Sequence, residues 1–207
     1  MKVTVFGATG TVGNQVVRQA LEAGHEVTAF TRDASRLTIE HGKLSVVEGD
    51  VLSDTEAVDS AVVGQDSVIV ALGAGAKGKV RSEGTRNIIA AMKKAGVSNL
   101  ICQSTLGAGD SSAQLNLKWW LLFRGPLRWV MADHERQEAL VRDSGLDWTI
   151  VRPAAFTDGP ATGEYKHGQA LKKRELTLTV SRADVAHFLL RLLGDRSYRL
   201  QSVSLSN

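Results

Sequence analysis

The opening thirteen residues constrain this chain most: Val3-Thr4-Val5-Phe6 runs directly into Gly7-Ala8-Thr9-Gly10-Thr11-Val12-Gly13. Valine and phenylalanine suit a central strand, and the glycines mark a sharp turn from that strand into a helix. Gly7 lets the backbone turn where a side chain would clash. Gly10 permits close approach of a pyrophosphate, and Gly13 lets the helix lie tight against the strand. A helix starting here offers free N–H groups and a positive dipole end to phosphate. A glycine triplet alone is a weak signal. Here a strand precedes it, and an amphipathic helix and a second strand follow, which is the context the motif requires. An ordinary strand-to-helix turn has no packing need for three glycines at this spacing. Gly7, Thr9, Gly10, Thr11, Val12 and Gly13 are therefore candidate dinucleotide contacts.

The rest of the chain alternates strands and helices. Strands are predicted at about Glu26–Thr31, Leu44–Glu48, Ser67–Leu72, Asn99–Gln103, Asp147–Val151 and Tyr198–Leu205. Helices are predicted at about Val12–Ala23, Ser82–Ala95 and Ala132–Asp143, and after the cap signal Ser181-Arg182-Ala183-Asp184. This alternation predicts an α/β fold: a Rossmann-like, doubly wound parallel sheet with helices on both faces. All 207 residues fit one domain, with small C-terminal elements on the substrate side, mainly 106–131 and 152–180. The net charge of +3 lacks the clustered basic face that nucleic acid demands. Cys102 is the sole cysteine, which excludes an internal disulfide and points to a reducing, cytoplasmic compartment. The first strand begins at once, so no signal peptide is expected, and no uncharged apolar run is long enough to span a membrane. No metal site is expected.

The end of the second strand selects the cofactor. A fold that binds NAD places Asp or Glu there for the ribose 2′-hydroxyl. This chain has Thr31-Arg32-Asp33-Ala34-Ser35-Arg36. Arg32 and Arg36 are suited to fork onto a 2′-phosphate, and no carboxylate at the strand tip repels it, so NADP(H) is the expected cofactor. Asp33, just past the tip, is the counter-signal. Asp50 and Val51 follow the third strand and are expected beside the adenine. Leu72, which ends the fourth strand, and Gly73, Ala74 and Arg81 beyond it are further candidate cofactor contacts, the small residues letting the ribose and phosphates pass close to the backbone. Ser104 and Thr105 end the fifth strand, where ligands of parallel sheets bind. Pro153 closes the sixth strand, and Pro153, Ala154, Ala155 and Phe156 are expected to line the same pocket. Cys102, inside a strand, reads as an inert core thiol.

The most apolar stretch, Leu115 to Met131, contains Trp119, Trp120, Phe123 and Trp129 and is broken at Gly125-Pro126. Three readings stay open: a helix packed on the body, a flap over a substrate pocket, or a homodimer interface.

These residues resemble the atypical short-chain dehydrogenase/reductase family. The resemblance rests on Gly7 to Gly13, Thr31-Arg32-Asp33, Gly49-Asp50-Val51, Ser82 to Asn87, Ser144 to Thr149 and Arg152-Pro153. Within it the chain looks most like the biliverdin IXβ reductase (flavin reductase) group and NmrA-like proteins, a link strengthened by Gly64 to Val70 and Thr162 to Tyr165. The resemblance implies NADP binding. Most members use a Tyr with a Lys four residues on; aligned from Ser144-Gly145-Leu146, those positions are Val130 and His134. The biliverdin reductase group also lacks that Tyr and keeps a His at the position of His134, where it touches the nicotinamide ribose. It carries a second His where this chain has Ala155. Ser104 matches a serine that the group places beside the nicotinamide. Ser104 and His134 are thus the implied catalytic pair. Without an ionisable donor a simple ketone is a poor substrate, because its alkoxide must be protonated as hydride arrives. A flavin, quinone or linear tetrapyrrole spreads the charge, so a small conjugated acceptor is the expected partner. The rival implication is a non-catalytic NADP(H)-sensing protein like the NmrA regulators.

Overall fold

Strand β4 (Ser67–Val70) is buried at every position, as a strand covered on both faces must be. It sits mid-sheet in the computed structural model, which describes residues 1–73, 79–169, 171–172 and 176–207. The flanking strands are β1 (Lys2–Phe6), β2 (Glu26–Thr31), β3 (Leu44–Glu48), β5 (Asn99–Gln103), β6 (Asp147–Pro153), β8 (Lys166–Gly168) and β10 (Gln201–Ser206). Their order is β3-β2-β1-β4-β5-β6-β10-β8, parallel throughout except where β8 meets β10. A small second sheet pairs β7 (Ala155–Thr157) with β9 (Thr179–Ser181).

Two apolar layers cover the sheet. Helices α1 (Thr11–Glu22) and α6 (Arg182–Arg191) pack together on one face, through Val16, Val17, Phe188 and Leu189. Helices α2 (Thr55–Val62), α3 (Val80–Ala95) and α5 (Arg128–Arg142) cover the other, through Val58, Ile88, Met92 and Val141. The expected doubly wound fold is thus present. No helix among the described residues is long and apolar enough to cross a membrane.

Several expected boundaries shift. β4 ends at Val70 rather than Leu72, although the Ala71 N–H still donates to Phe6 O at 2.9 Å. β10 starts at Gln201 rather than Tyr198, because Leu200 takes a left-handed φ of +57° and turns the chain first. α5 starts at Arg128, immediately beyond the Gly125-Pro126 break, rather than at Ala132. Of the basic run at 172–174, only Lys172 lies among the described residues.

The aromatic stretch packs on the body by one side only. It forms α4 (Leu117–Arg124), in which no residue is fully buried. Leu117 is 70 % exposed, and Trp129, in the first turn of α5, is 66 % exposed. Only Trp119 and Phe123, half-buried with ring centroids 5.6 Å apart, turn toward the body. An eight-residue helix at the rim has too little of the sheet beneath it to bury both faces.

Buried ionic groups fasten the sheet's ends. Arg152 on β6 donates from Nε to Glu138 Oε1 at 2.9 Å and from Nη2 to Oε2 at 2.7 Å. Both side chains are almost fully buried; Arg142 adds a bond to Glu138, and exposed Asp110 a contact to Arg152. Asp184, at the start of α6, accepts from the N–H groups of Thr162 and Gly163 and from the Ser181 hydroxyl. Burial alone would raise its pKa, but these hydrogen bonds together hold it below the ordinary carboxylate range.

Removing one member of a buried ion pair strands the other. Glu138→Ala is expected to lower unfolding free energy by about 3–5 kcal/mol in urea titrations. An unchanged midpoint would show that Asp110 alone satisfies Arg152.

Candidate functional site

The sheet order reverses between β1 and β4, and a ligand crevice is expected at such a switch point. The loop after β1 fits that place because of two glycines. Gly7 has φ +86°, and a Cβ on it would lie 2.4 Å from the Ala71 carbonyl oxygen. A Cβ on Gly13 would lie 2.1 Å from the Gly7 carbonyl oxygen. Neither position tolerates a side chain without backbone movement. The Gly10 N–H donates to Gly7 O at 2.9 Å and closes the turn. Gly10 is also the N-cap of α1, and no side chain caps that helix or places an acid in its first turn. The first N–H groups of α1, on Thr11, Val12 and Gly13, are left for an anion. Val12 and Gly13 are buried and offer only backbone, whereas Thr11 is exposed.

Beside this turn lies a groove of about 230 Å³, lined by Gly7, Thr9, Gly10, Thr31, Arg32, Arg36, Asp50, Val51, Leu72 and Gly73, with Phe30, Leu52 and Val80. Sequence reasoning named all of these as candidates except Thr31, Phe30, Leu52 and Val80. Arg32 and Arg36 are exposed, and neither forms an ion pair among the described residues. Asp33 resolves as a local cap: its carboxylate accepts from the Ser35 N–H at 3.0 Å and the Ser35 hydroxyl at 2.6 Å, and does not line the groove. The wall carrying Asp50 is held by Asn87, whose Nδ2 donates to Val51 O at 2.9 Å. Asp50 Oδ1 already accepts from the Leu52 N–H. Ala74 lies outside the described residues.

Arg81 does not line the groove. Its guanidinium lies 3.8 Å from Asp133, which is buried on α5. Asp133 also accepts from the N–H groups of Arg81 and Ser82 and from the Ser82 hydroxyl. The N-terminus of α3 is therefore closed by a carboxylate of this chain, whereas that of α1 is open.

A second cavity, of about 190 Å³, opens past the ends of β5 and β6. Thr105, Leu106, Leu115, Trp119, Phe123, Ala154, Ala155, Phe156 and Leu178 line it. No lining residue is ionisable at neutral pH. Trp119 and Phe123 were missed as site residues, since a sequence does not say which side of an all-apolar helix turns inward. Leu178 was missed too; its left-handed φ of +62° leaves no signal in a leucine. Pro153 stays outside this cavity, and its carbonyl accepts from the Leu106 N–H at 2.9 Å.

Ser104 and His134 are brought together, with Oγ 3.5 Å from Nδ1, and both are buried. Thr105 reaches the cavity wall, but Ser104 faces His134 instead. Burial, and then the Arg81 guanidinium, push the His134 imidazole down to about 3, against upward pulls from Asp133 and Gln137. The ring is a neutral hydrogen-bonding group, not an acid. Cys102 is fully buried and burial pushes its thiol up, so it is inert, as expected. No cluster fit to hold a metal ion occurs among the described residues.

Comparison with known proteins agrees with this geometry. A family model described as NAD(P)H-binding matches residues 7–196. YwnB of Bacillus subtilis, an uncharacterized protein, is 30% identical over 179 residues, covering 82% of this chain and 80% of that one. An uncharacterized chloroplastic protein of Arabidopsis thaliana is 29% identical over 78% of this chain, which spans only 61% of that protein's length. Among solved structures, ChuY, described as an anaerobilin reductase from Escherichia coli O157:H7, is 28% identical with a TM-score of 0.83, covering 100% of this chain and 97% of that one. A short-chain dehydrogenase/reductase from Veillonella parvula solved with NADP has a TM-score of 0.84 at 20% identity, over 100% of this chain and 94% of that one, which shows a shared fold.

A histidine whose folded pKa is lowered withdraws stability as pH falls below its unfolded value of about 6.5. In NMR spectra of the labelled protein, the His134 ring signals are therefore expected to stay constant from pH 8 to pH 5. A His134 midpoint near 6 would refute the buried, neutral ring.

Proposed function

This chain belongs to the NAD(P)H-binding family, and on that premise we propose that it is an NADPH-dependent reductase of a flat conjugated acceptor, such as a flavin, a quinone or a biliverdin-like tetrapyrrole. The observation that carries this reading is the apolar cavity at the ends of β5 and β6, which has no ionisable group among the described residues of its wall. Its rings and methyls suit a planar hydrophobic molecule, and Thr105 is the one polar side chain available to orient it.

The groove fits the cofactor on chemical grounds. Gly7 and Gly13 leave no Cβ between the turn and its surroundings, α1 offers uncapped N–H groups, and two free guanidinium groups stand past β2. Arg32 and Arg36 would hold the 2′-phosphate, Asp50 and Val51 would flank the adenine, and Thr9 to Gly13 would hold the pyrophosphate. When bound, NADPH supplies the hydride. Ser104 and His134 are positioning residues in this reading: the neutral imidazole accepts or donates a hydrogen bond without changing charge, and Ser104 fixes its orientation. Ala154, Ala155, Phe156 and Phe123 exclude water from the acceptor's face. None of these groups delivers a proton, so the acceptor must be one that tolerates protonation from solvent. The description of ChuY as an anaerobilin reductase supports this acceptor class.

The same lack of a proton donor favours a second reading, a protein that binds NADP(H) without turning it over. The two part on one experiment. Purified protein is mixed anaerobically with NADPH and FMN, menadione or biliverdin, and loss of NADPH absorbance is followed. Oxidation above the protein-free rate with at least one acceptor is expected. Tight NADPH binding with no oxidation by any of the three would replace the reductase with the sensor.

Cofactor choice has its own check. Arg32→Ala with Arg36→Ala is expected to weaken NADPH binding by about 1.5–3 kcal/mol for each charge-assisted bond lost, and NADH binding little, by calorimetry. Equal losses for both cofactors would show that these arginines do not read the extra phosphate.

A further inference from the structure

Helix α4 presents a packing problem. Its sequence, Leu-Lys-Trp-Trp-Leu-Leu-Phe-Arg, is apolar on all sides, the pattern of a helix buried on every face, yet none of its residues is fully buried. One side meets the protein through Trp119 and Phe123. The other side leaves Leu117, Trp120 and Leu121 exposed, and Trp129 in the first turn of α5 is exposed as well. Contiguous exposed apolar surface of this kind marks an interaction site.

The charge around the patch selects its occupant. Lys118, Arg124 and Arg128 are all exposed, and no acidic residue occurs from Leu115 to Ala132. The Arg124 guanidinium lies 4.7 Å from the Trp120 ring centroid, and that of Arg128 lies 4.8 Å from the Trp129 ring. The acids that follow on α5 do not neutralise the face: Asp133 is buried against α3, and Glu135 is the single exposed carboxylate lining the hollow beside Arg124 and Arg128. A two-fold dimer through this patch would set the three cations against their own copies, which is unfavourable. The face is also the convex side of a helix, not a groove cut to receive one. Tryptophan rings with a polar edge, leucines between them and flanking cations are the composition that settles at the boundary of headgroups and acyl chains.

We propose that the outer face of α4 and the first turn of α5 form a docking surface for an anionic lipid bilayer. Leu117, Trp120, Leu121 and Trp129 enter the interface, and Lys118, Arg124 and Arg128 pair with lipid phosphates. Because Trp119 and Phe123 are the inner side of the same helix, docking places one wall of the apolar cavity at the membrane surface. An acceptor dissolved in the lipid then reaches the cavity without crossing water. That consequence, unlike docking, rests on the reductase reading.

Flotation of the full chain, without cofactor or acceptor, tests docking by itself and leaves the reductase assay as a separate result. Vesicles of phosphatidylcholine alone are compared with vesicles of two parts phosphatidylcholine to one part phosphatidylglycerol. The protein is expected to float with the anionic vesicles, with a blue shift of tryptophan emission, and to stay largely unbound with the neutral ones. Lys118→Gln, Arg124→Gln and Arg128→Gln together are expected to reduce partitioning roughly a hundredfold, since each cation near an anionic surface contributes about a factor of five. Trp120→Ser with Trp129→Ser is expected to abolish the blue shift. All five side chains are exposed, so unchanged melting temperature and NADPH affinity certify that the variants fold. Absence of flotation with anionic vesicles would overturn the proposal, as would equal partitioning onto both vesicle types. So would binding to poly-glutamate without binding to vesicles, or a lipid-free dimer that the tryptophan variant dissolves.

Discussion

The turn after β1 depends on backbone packed against backbone with no side chain between. The Gly7 carbonyl accepts from the Gly10 N–H and faces the α-carbon of Gly13, while Gly7 itself sits against the Ala71 carbonyl after β4. These contacts draw the start of α1 down onto the sheet at the point where the strand order reverses. Everything required of the groove follows from that approach: an open helix end, a floor without methyl groups, and walls supplied by the ends of β2, β3 and β4. A single Cβ at either glycine forces backbone to move, and the groove's floor with it.

Electrostatics then separates the two halves of the site. Helix α3 also begins near this edge of the sheet, but Asp133 takes its N-terminal donors and holds Arg81 nearby. The positive potential left at the dinucleotide groove comes from the uncapped α1 and from Arg32 and Arg36. On the other side, His134 is kept neutral by burial and by Arg81, and the adjoining cavity carries no charge. One half thus suits a polyanion and the other an apolar ring system.

The fold was legible because its signals are local. Glycine spacing, the apolar run of β4 and the Ser181 cap to Asp184 are each written within a few residues; the turn and the cap form as read, and β4 forms two residues shorter. The groove was legible for the same reason, since strand ends carry its residues in order. What could not be read depends on contacts between distant segments. Arg81 sits in the right stretch of chain, yet a carboxylate fifty-two residues away, Asp133, turns it aside. Ser104 sits at the right strand end but faces His134 rather than the cavity. The inner and outer sides of α4 carry the same residue types, so periodicity alone does not separate pocket wall from surface.

The proton decides which reaction the proposed site suits. Hydride addition to an isolated carbonyl leaves charge on one oxygen, and stabilising it requires a donor within hydrogen-bond reach. Around this cavity the candidates fail one by one: Ala155 has no such group, and the His134 imidazole is uncharged near neutral pH. Thr105 remains, but its hydroxyl is too weak an acid to protonate an alkoxide in step with hydride arrival. An acceptor that spreads the incoming charge over several rings removes that requirement, and the apolar walls then become an advantage because they hold the rings flat and exclude water. On the proposed reductase reading, the missing acid and the apolar cavity are a single adaptation to one class of acceptor.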